Sequence, residues 1–444
     1  MERQMTHVDT LIIGAGVSGL TAASLLARAG RSVTVLEARD RVGGRVHSER
    51  ANGKVTDLGA SWIHGIVDSP VYEAARAFGM PMVEFTVGGY QPDSRPMAYY
   101  GPDNVRLSTA AAKQFTADLH AVDAQLVHTI AASQLGESYG DVVERTFASL
   151  DWEAERTERA REYFRHRSEE QYGAWIDDLD AHGLDDDAID GDEVVFPEGY
   201  DALATNLARG LDIRLEHEVT MVRWGGSGVE VTSNRGIFTA DRVIITVPVG
   251  VLQSTEFVID PPLPETNARA LAGLRMNAFE KVFIRFSEKF WDDDVYAIRR
   301  QGAESHWWHS WYDLTAVADE PTLLTFAAGP CAQETRGWSD DRIVDAVLAE
   351  LRALYGDRVA VPTQVNVTRW QDDRWSRGSY AYMIPGARPE EHDLLANPVG
   401  DVLHLAGEAT WTDDPATVTA ALMSGHRAAE RILGRDVAFS ELWS

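Results

Sequence analysis

The chain predicts an α/β fold: a Rossmann-like nucleotide-binding domain assembled from interleaved segments, carrying an inserted α+β domain. Three observations predict it. Gly14, Gly16 and Gly19 stand as GxGxxG between an apolar strand and an Ala/Leu-rich helix. A second strand follows and ends on Glu37. Near the other end, DVLHLAGEATWTDDPATVTAALMSGHRAAERILG repeats the strand, glycine turn and helix pattern. One chain thus brings nucleotide-binding pieces from both ends and its middle, which requires another domain between them.

In the first unit, Gly14 permits the tight turn, Gly16 lets a pyrophosphate approach the backbone, and Gly19 packs helix against strand. Phosphate would then meet the helix start at Val17 and Ser18, where free N–H groups and the helix dipole favour anions. Glu37 sits where a carboxylate accepts from ribose hydroxyls, with Arg39 beside it. GxGxxG alone suits NAD or FAD. DRVGGRVHS (40–48) favours FAD, because Gly43 and Gly44 allow a second close backbone approach. Arg45 could neutralise phosphate, reach toward the flavin, or sit in a surface salt bridge. DLGASWIHG (57–65) adds the small residues Gly59, Ala60 and Ser61 before Trp62, so backbone can lie against a flat ring.

Midway, a helix is expected at about 200–209, then strands at 212–224, 228–234, 236–239 and 242–247. At the C-terminal unit, Gly407 permits close approach, Glu408 could bond a ribityl or ribose hydroxyl, and a helix begins near Thr417 and Val418. The expected division assigns 1–75, 195–285 and 365–444 to the FAD-binding domain, with 76–194 and 286–364 as the substrate domain.

Composition narrows the partners. The formal net charge of −28 disfavours nucleic acid and anionic membranes and suits a cationic small molecule, although a merely solubilising surface explains it too. The acidic run DDLDAHGLDDDAIDGDE (177–193) reads as an exposed loop. Cys331 is the single cysteine, which excludes an intrachain disulfide and fits a reducing compartment. No apolar run reaches the roughly 18 residues of a membrane span, and no secretory leader stands at the start, so a cytoplasmic protein is expected. No metal-ligand motif is present, so no metal is expected.

GAGVSGLTAA, LEARDRVGGR, DLGASWIHG, EKVFIRF, WSRGSY and LAGEAT occur in the order seen in the flavin-containing amine oxidases. The resemblance runs through the whole chain, and that family includes monoamine oxidases, polyamine oxidases and histone-lysine demethylases. It implies an FAD-binding domain joined to a substrate domain with a mixed sheet. It further implies that Val219 meets the adenine through its backbone and that Trp370 and Trp375 belong to the cofactor site. Lys281, a lysine amid the strand NAFEKVFIRF, matches a family lysine hydrogen-bonded through water to flavin N5. Monoamine oxidases carry a flavin-linked cysteine where this chain has Ser379, so FAD is expected to be noncovalent.

The resemblance also addresses substrate. His64 follows Trp-Ile as in the spermine and acetylpolyamine oxidases, where it would face the channel as a neutral hydrogen-bond partner. Tyr380 matches an aromatic wall beside the substrate amine, and Thr417 replaces a second aromatic, which widens the site for a polyamine. Carboxylates must hold the distal ammonium groups. Glu170, Tyr172 and Trp175, on a helical segment at 158–180, are the candidate channel residues, with Glu84 as another. The implied reaction passes hydride from the carbon next to nitrogen to flavin N5, reduces O2 to hydrogen peroxide, and hydrolyses the imine to an aldehyde and a shorter amine. Alternatives are an oxidase of putrescine, a monoamine, a cyclic amine or an amino acid, a dehydrogenase using another acceptor, and a flavin-binding interaction module. Nothing in the sequence indicates oligomeric state.

Overall fold

DTLIIG supplies a short β-prone run followed by a turn, and strand Thr6–Ile13 lies in the middle of a sheet with its inner half buried. The computed structural model describes residues 6–87, 96–184, 189–226, 228–293, 295–302 and 307–444. Thr6–Ile13 pairs in parallel with Val33–Leu36 on one side and Gly236–Ile245 on the other. The eight-stranded sheet runs Val258–Asp260, Val219–Gly225, Gly228–Ser233, Gly236–Ile245, Thr6–Ile13, Val33–Leu36, Asp212–Arg214, with Leu403–Leu405 also pairing the end of Gly236–Ile245. Parallel strands buried on both faces need helices on them. Helices Val17–Arg28 and Val418–Leu433 pack on one face around Leu20, Leu26, Leu422 and Ile432. These two helices touch closely: a Cβ on Gly425 would stand 2.1 Å from the Ser18 carbonyl oxygen, and Ser18 Oγ hydrogen-bonds Ser424 Oγ at 3.0 Å.

A second, six-stranded sheet runs Pro362–Val367, Phe279–Phe286, Thr322–Ala328, Ser310–Asp313, Ala297–Arg300, Met97–Tyr100. Helix Asp340–Tyr355 covers it through Ile343, Val347 and Leu351. Helices Thr109–Ala131, Tyr139–Ser149 and Ala154–Tyr172 form a separate bundle around Phe115, Leu119, Val143 and Phe164. Among the described residues, no helix is long and apolar enough to cross a membrane.

Several boundaries differ from expectation. The first expected strand of the middle region is interrupted, as Asp212–Arg214 and Val219–Gly225, because the chain leaves one edge of the sheet and re-enters at its far side. The expected strands 236–239 and 242–247 are one strand, Gly236–Ile245, which pairs antiparallel with its hairpin partner and then parallel with Thr6–Ile13. The helix expected at 200–209 is Ala202–Leu207. The helix expected over 158–180 stops at Tyr172, where Gly173 takes a left-handed φ of 60° and closes it. The acidic run is not uniformly exposed: Leu179, Asp180, Ala181 and Glu193 are buried, and 185–188 lie outside the described residues. Strand Phe279–Phe286 lies wholly within the second sheet, so the border drawn at 285 falls inside it.

Candidate active site

A cavity of about 640 Å³ opens between the two sheets. The first sheet contributes strand ends at Ile13, Leu36 and Thr246, and the second contributes Phe279, Lys281, Tyr312 and Phe326. Strand ends before helix N-termini are where parallel α/β sheets bind ligands.

At one end stand Gly14, Gly16, Val17 and Ser18, with Gly43, Gly44 and Arg45 alongside. Gly19 is not on the wall. A Cβ there would lie 2.1 Å from the Gly14 carbonyl oxygen, so its job is to let the helix close onto the turn. The Glu37 carboxylate is fixed by two amides, accepting from Ala15 N at 2.7 Å and Arg39 N at 2.8 Å. Burial pushes its proton affinity up while those hydrogen bonds and the Arg39 and Arg41 charges oppose it. Arg39 grips Asp373 with two bonds of 2.6 and 2.7 Å and lies 5.2 Å from the Trp375 ring, so a segment near 375 is tied to the nucleotide end. Val219 lines the cavity from the start of its strand.

Farther in, Arg45 donates to Glu408 at 2.7 Å and to the Ser379 carbonyl at 2.9 Å, pairing within the wall and not on the surface. Gly407 and Glu408 face the cavity, as do Thr417 and Val418 at the helix start. Thr417 caps that helix, its hydroxyl accepting from Ala420 N at 3.0 Å. Trp370 donates to the Leu58 carbonyl at 2.9 Å. Glu280, on the opposite face of the strand from Lys281, holds the Trp370 and Gln371 amides, each at 2.9 Å.

Lys281 is 8% exposed, on the strand face it shares with Phe279 and Phe283. Its Nζ lies 2.5 Å from the Gly59 carbonyl, 2.5 Å from Ser61 Oγ and 3.3 Å from the Asp57 carbonyl. The Trp62 ring stands 5.6 Å away. Burial lowers the lysine to about 8, against the pull of the Asp57 carboxylate. Asp57 is itself raised to about 6 by burial, although Ser48 and Tyr200 N donate to it. The cavity wall therefore holds an amine that gives up its proton more readily than an exposed lysine. Gly59, Ala60, Ser61 and Trp62 line the same stretch.

Aromatic side chains Trp62, Tyr312, Phe326, Phe279, Tyr380 and Tyr172 continue the wall, with neighbouring rings 4.8 to 6.5 Å apart. Ser379 also lines the cavity, its hydroxyl donating to the Phe279 carbonyl at 2.7 Å, whereas Cys331 is buried in the core behind the second sheet. His64 is at the wall, half exposed, with Nδ1 against the buried Glu193 carboxylate. Glu170 faces the cavity with its side chain only 5% exposed, receiving the Tyr312 hydroxyl at 2.5 Å, with His309 Nε2 2.8 Å from its other oxygen. Burial opposes its charge, yet His309, Arg299 and Tyr312 hold the carboxyl below its usual range. Behind it, His166 stacks on His309 at 3.5 Å and 7°, near Glu169. Ring lone pairs lie in the ring plane, so parallel rings do not converge on one ion. The three side chains form a buried cluster behind the cavity wall.

Two candidates fall away from the cavity. Trp175 follows the helix end and turns its Nε1 to Asp177 at 3.0 Å, packing in the helical bundle. Glu84 is exposed and receives the Tyr296 hydroxyl at 3.0 Å. Sequence reasoning missed Glu193, Tyr312, Phe279 and Phe326. Phe279 was readable, since strand periodicity puts it on the Lys281 face. Glu193 was hidden within a run read as solvated.

The wall suits a flavin dinucleotide. Trp62 Nε1, Trp375 Nε1 and Glu408 Oε2 are buried without a hydrogen-bond partner among the described residues, and all three residues line the cavity. Buried polar atoms of this kind call for a polar ligand. A Cβ on Gly16 would meet nothing within 4 Å, leaving the approach to the helix start clear.

Comparison with known proteins agrees. Residues 17–433 match the family described as flavin containing amine oxidoreductase. Polyamine oxidase 2 of Arabidopsis thaliana is 31% identical, the match covering 97% of this chain and 89% of the relative. Lysine-specific histone demethylase 1 homolog 2 of the same plant is also 31% identical, over 96% of this chain, which spans only 59% of that protein. A solved structure of wild-type putrescine oxidase bound to putrescine shares the fold, with a TM-score of 0.80 at 23% identity, covering 97% of this chain and all of that one. The chain belongs to the flavin containing amine oxidoreductases, which use FAD to oxidise amines.

Proposed function

We propose that the chain oxidises polyamines such as spermine, spermidine or their acetylated forms, using O2 and releasing hydrogen peroxide. The observation that carries this reading is Glu170, a buried carboxylate on the cavity wall kept charged by Tyr312 and His309. A buried negative charge facing an aromatic-walled cavity is a partner for the distal ammonium of a long amine. Glu193, bound to His64, supplies a second carboxylate. The likeness to polyamine oxidases of Arabidopsis thaliana supports the same class.

FAD, when bound, accepts hydride from the carbon next to the reacting nitrogen. The residues that would hold it are the glycine turn, Glu37, Val219 and Trp375 at the dinucleotide end, with Arg45, Trp370, Glu408 and Val418 nearer the reacting end. Without a cysteine at position 379, the bond to the protein is noncovalent. Trp62 and Tyr380 orient the amine, His64 offers it a hydrogen-bond partner, and Thr417 leaves room opposite. Lys281 places a titratable amine beside the reacting end, where it tunes charge and proton supply. The eight-stranded sheet serves the cofactor, and the six-stranded sheet, which includes Phe279–Phe286, walls the substrate.

Peroxide release from spermine, spermidine, acetylspermine, putrescine, tyramine and leucine tests the reading. Turnover of spermine or spermidine at least about tenfold above tyramine and leucine is expected, that is about 1.4 kcal/mol of discrimination. Preference for tyramine overturns it. Product analysis with spermine then separates release of 3-aminopropanal with spermidine from release of diaminopropane.

A further inference from the structure

Asn277 opens the run NAFEKVFIRF, is buried, and stands behind the cavity lining. Its side chain nevertheless touches two pieces of the wall. The carboxamide oxygen accepts from the Ser379 and Tyr380 amides at 3.1 and 3.2 Å, and Nδ2 donates to the Tyr172 carbonyl at 3.0 Å. Tyr172 and Tyr380 both line the cavity. One carboxamide thus meets donors on one side and an acceptor on the other, which a leucine or a carboxylate cannot do.

The Tyr172 carbonyl ends helix Ala154–Tyr172, where the last carbonyls have no helical donor. Gly173 N closes onto the Glu169 carbonyl at 2.7 Å, the Tyr380 hydroxyl donates to the Gln171 carbonyl at 2.9 Å, and Asn277 serves Tyr172. The helix end is therefore docked on Tyr380 and Asn277. The fit is close, since a Cβ on Gly173 would stand 2.7 Å from Asn277 Nδ2. Glu170 lies in this last helical turn. Tyr380 has further backbone anchors: its carbonyl accepts from Asn277 N at 3.0 Å, and Ala381 pairs with Met276.

We propose that Asn277 is a positioning residue that sets the separation of Glu170 and Tyr380, and through it the length of amine the site favours. This rests on the polyamine reading, in which Tyr380 flanks the reacting amine and Glu170 holds a distal ammonium. A substrate that reaches both groups feels their spacing, and a shift on the order of 1 Å spoils the match. A short amine held at Tyr380 alone does not feel it.

Asn277→Ala removes the carboxamide. Gly173→Ala keeps it and presses a methyl against Nδ2 from the helix side, so the contact is broken from two directions and either variant tests it should the other fail to fold. Val347→Ala, in the core behind the six-stranded sheet, controls for general destabilisation. In the FAD-loaded variants KM for spermine should rise by about tenfold while that for tyramine changes less than about twofold; for an amine that is not turned over, its competitive inhibition constant is compared. In the FAD-free variants backbone amide hydrogen exchange over 169–173 should quicken by at least about tenfold, and in Val347→Ala it should not. Constants for both amines rising together, or exchange over 169–173 no faster than in Val347→Ala, overturns the proposal. A wild type that oxidises no amine overturns the polyamine reading and leaves the exchange comparison intact, so the two failures are distinct.

Discussion

Replacing Lys281 by methionine removes a buried charge while keeping the bulk of the side chain. The lysine is brought from its ordinary 10.5 to about 8 by burial. That gap corresponds to about 3 kcal/mol of cost in holding the charged form. In the unfolded chain the amine stays protonated to about pH 10.4. Between about 8 and that value the unfolded state binds more protons, so wild-type stability rises with pH there. Below about 8 both states are protonated and the native state bears the full cost. The variant has no such slope. Its stability relative to wild type should therefore fall by about 2–3 kcal/mol from about pH 8 to 10.5. Lost hydrogen bonds to Gly59 and Ser61 shift the whole difference by about 1–3 kcal/mol, without adding a slope of their own. Starting at pH 8 keeps Asp57, raised to about 6, ionised in the wild type. Urea unfolding of the FAD-free proteins, followed by tryptophan fluorescence across that range, measures the difference. A difference that stays constant refutes the buried-ammonium argument. On the proposed role, the same variant should reoxidise in air on the order of 100-fold more slowly. Unchanged flavin reduction and reoxidation would refute that role.

Activity should rise as pH is raised above neutral, because the reacting amine must be neutral; a kcat/KM profile flat from about pH 6 to 10 contradicts this. Glu170→Gln should raise KM for spermine by about 10- to 100-fold with kcat little changed, since a hydrogen bond to a charged group is worth about 1.5–3 kcal/mol; an unaltered KM removes Glu170 from substrate binding. FAD should leave the chain completely on acid precipitation, and flavin fluorescence retained on the denatured protein contradicts noncovalent binding. Gly19→Ala places a Cβ 2.1 Å from the Gly14 oxygen and should destabilise the protein by about 1–3 kcal/mol, read as a lower Tm; an unshifted Tm contradicts the close-packing account.

The nucleotide end was legible because it is local. GxGxxG, the strand ending on Glu37 and the Thr417-capped helix each follow from a few consecutive residues whose backbone needs are fixed by steric and hydrogen-bonding rules. Lys281 stood out because an ammonium between Phe279 and Phe283 breaks strand patterning, and such breaks gather at functional sites. Tertiary structure decided the rest. Glu170 and Trp175 came from one sequence segment, yet Gly173 ends the helix between them, so one faces the cavity and the other the bundle. Glu193 reads as part of a solvated acidic run, and only its contact with His64 reveals a buried carboxylate. Tyr312 and Phe326 have no motif, because their place depends on which strands the second sheet brings beside Phe279–Phe286. A sequence fixes what each residue can do chemically, whereas long-range pairing sets which groups are desolvated together, and desolvation gives charges their strength.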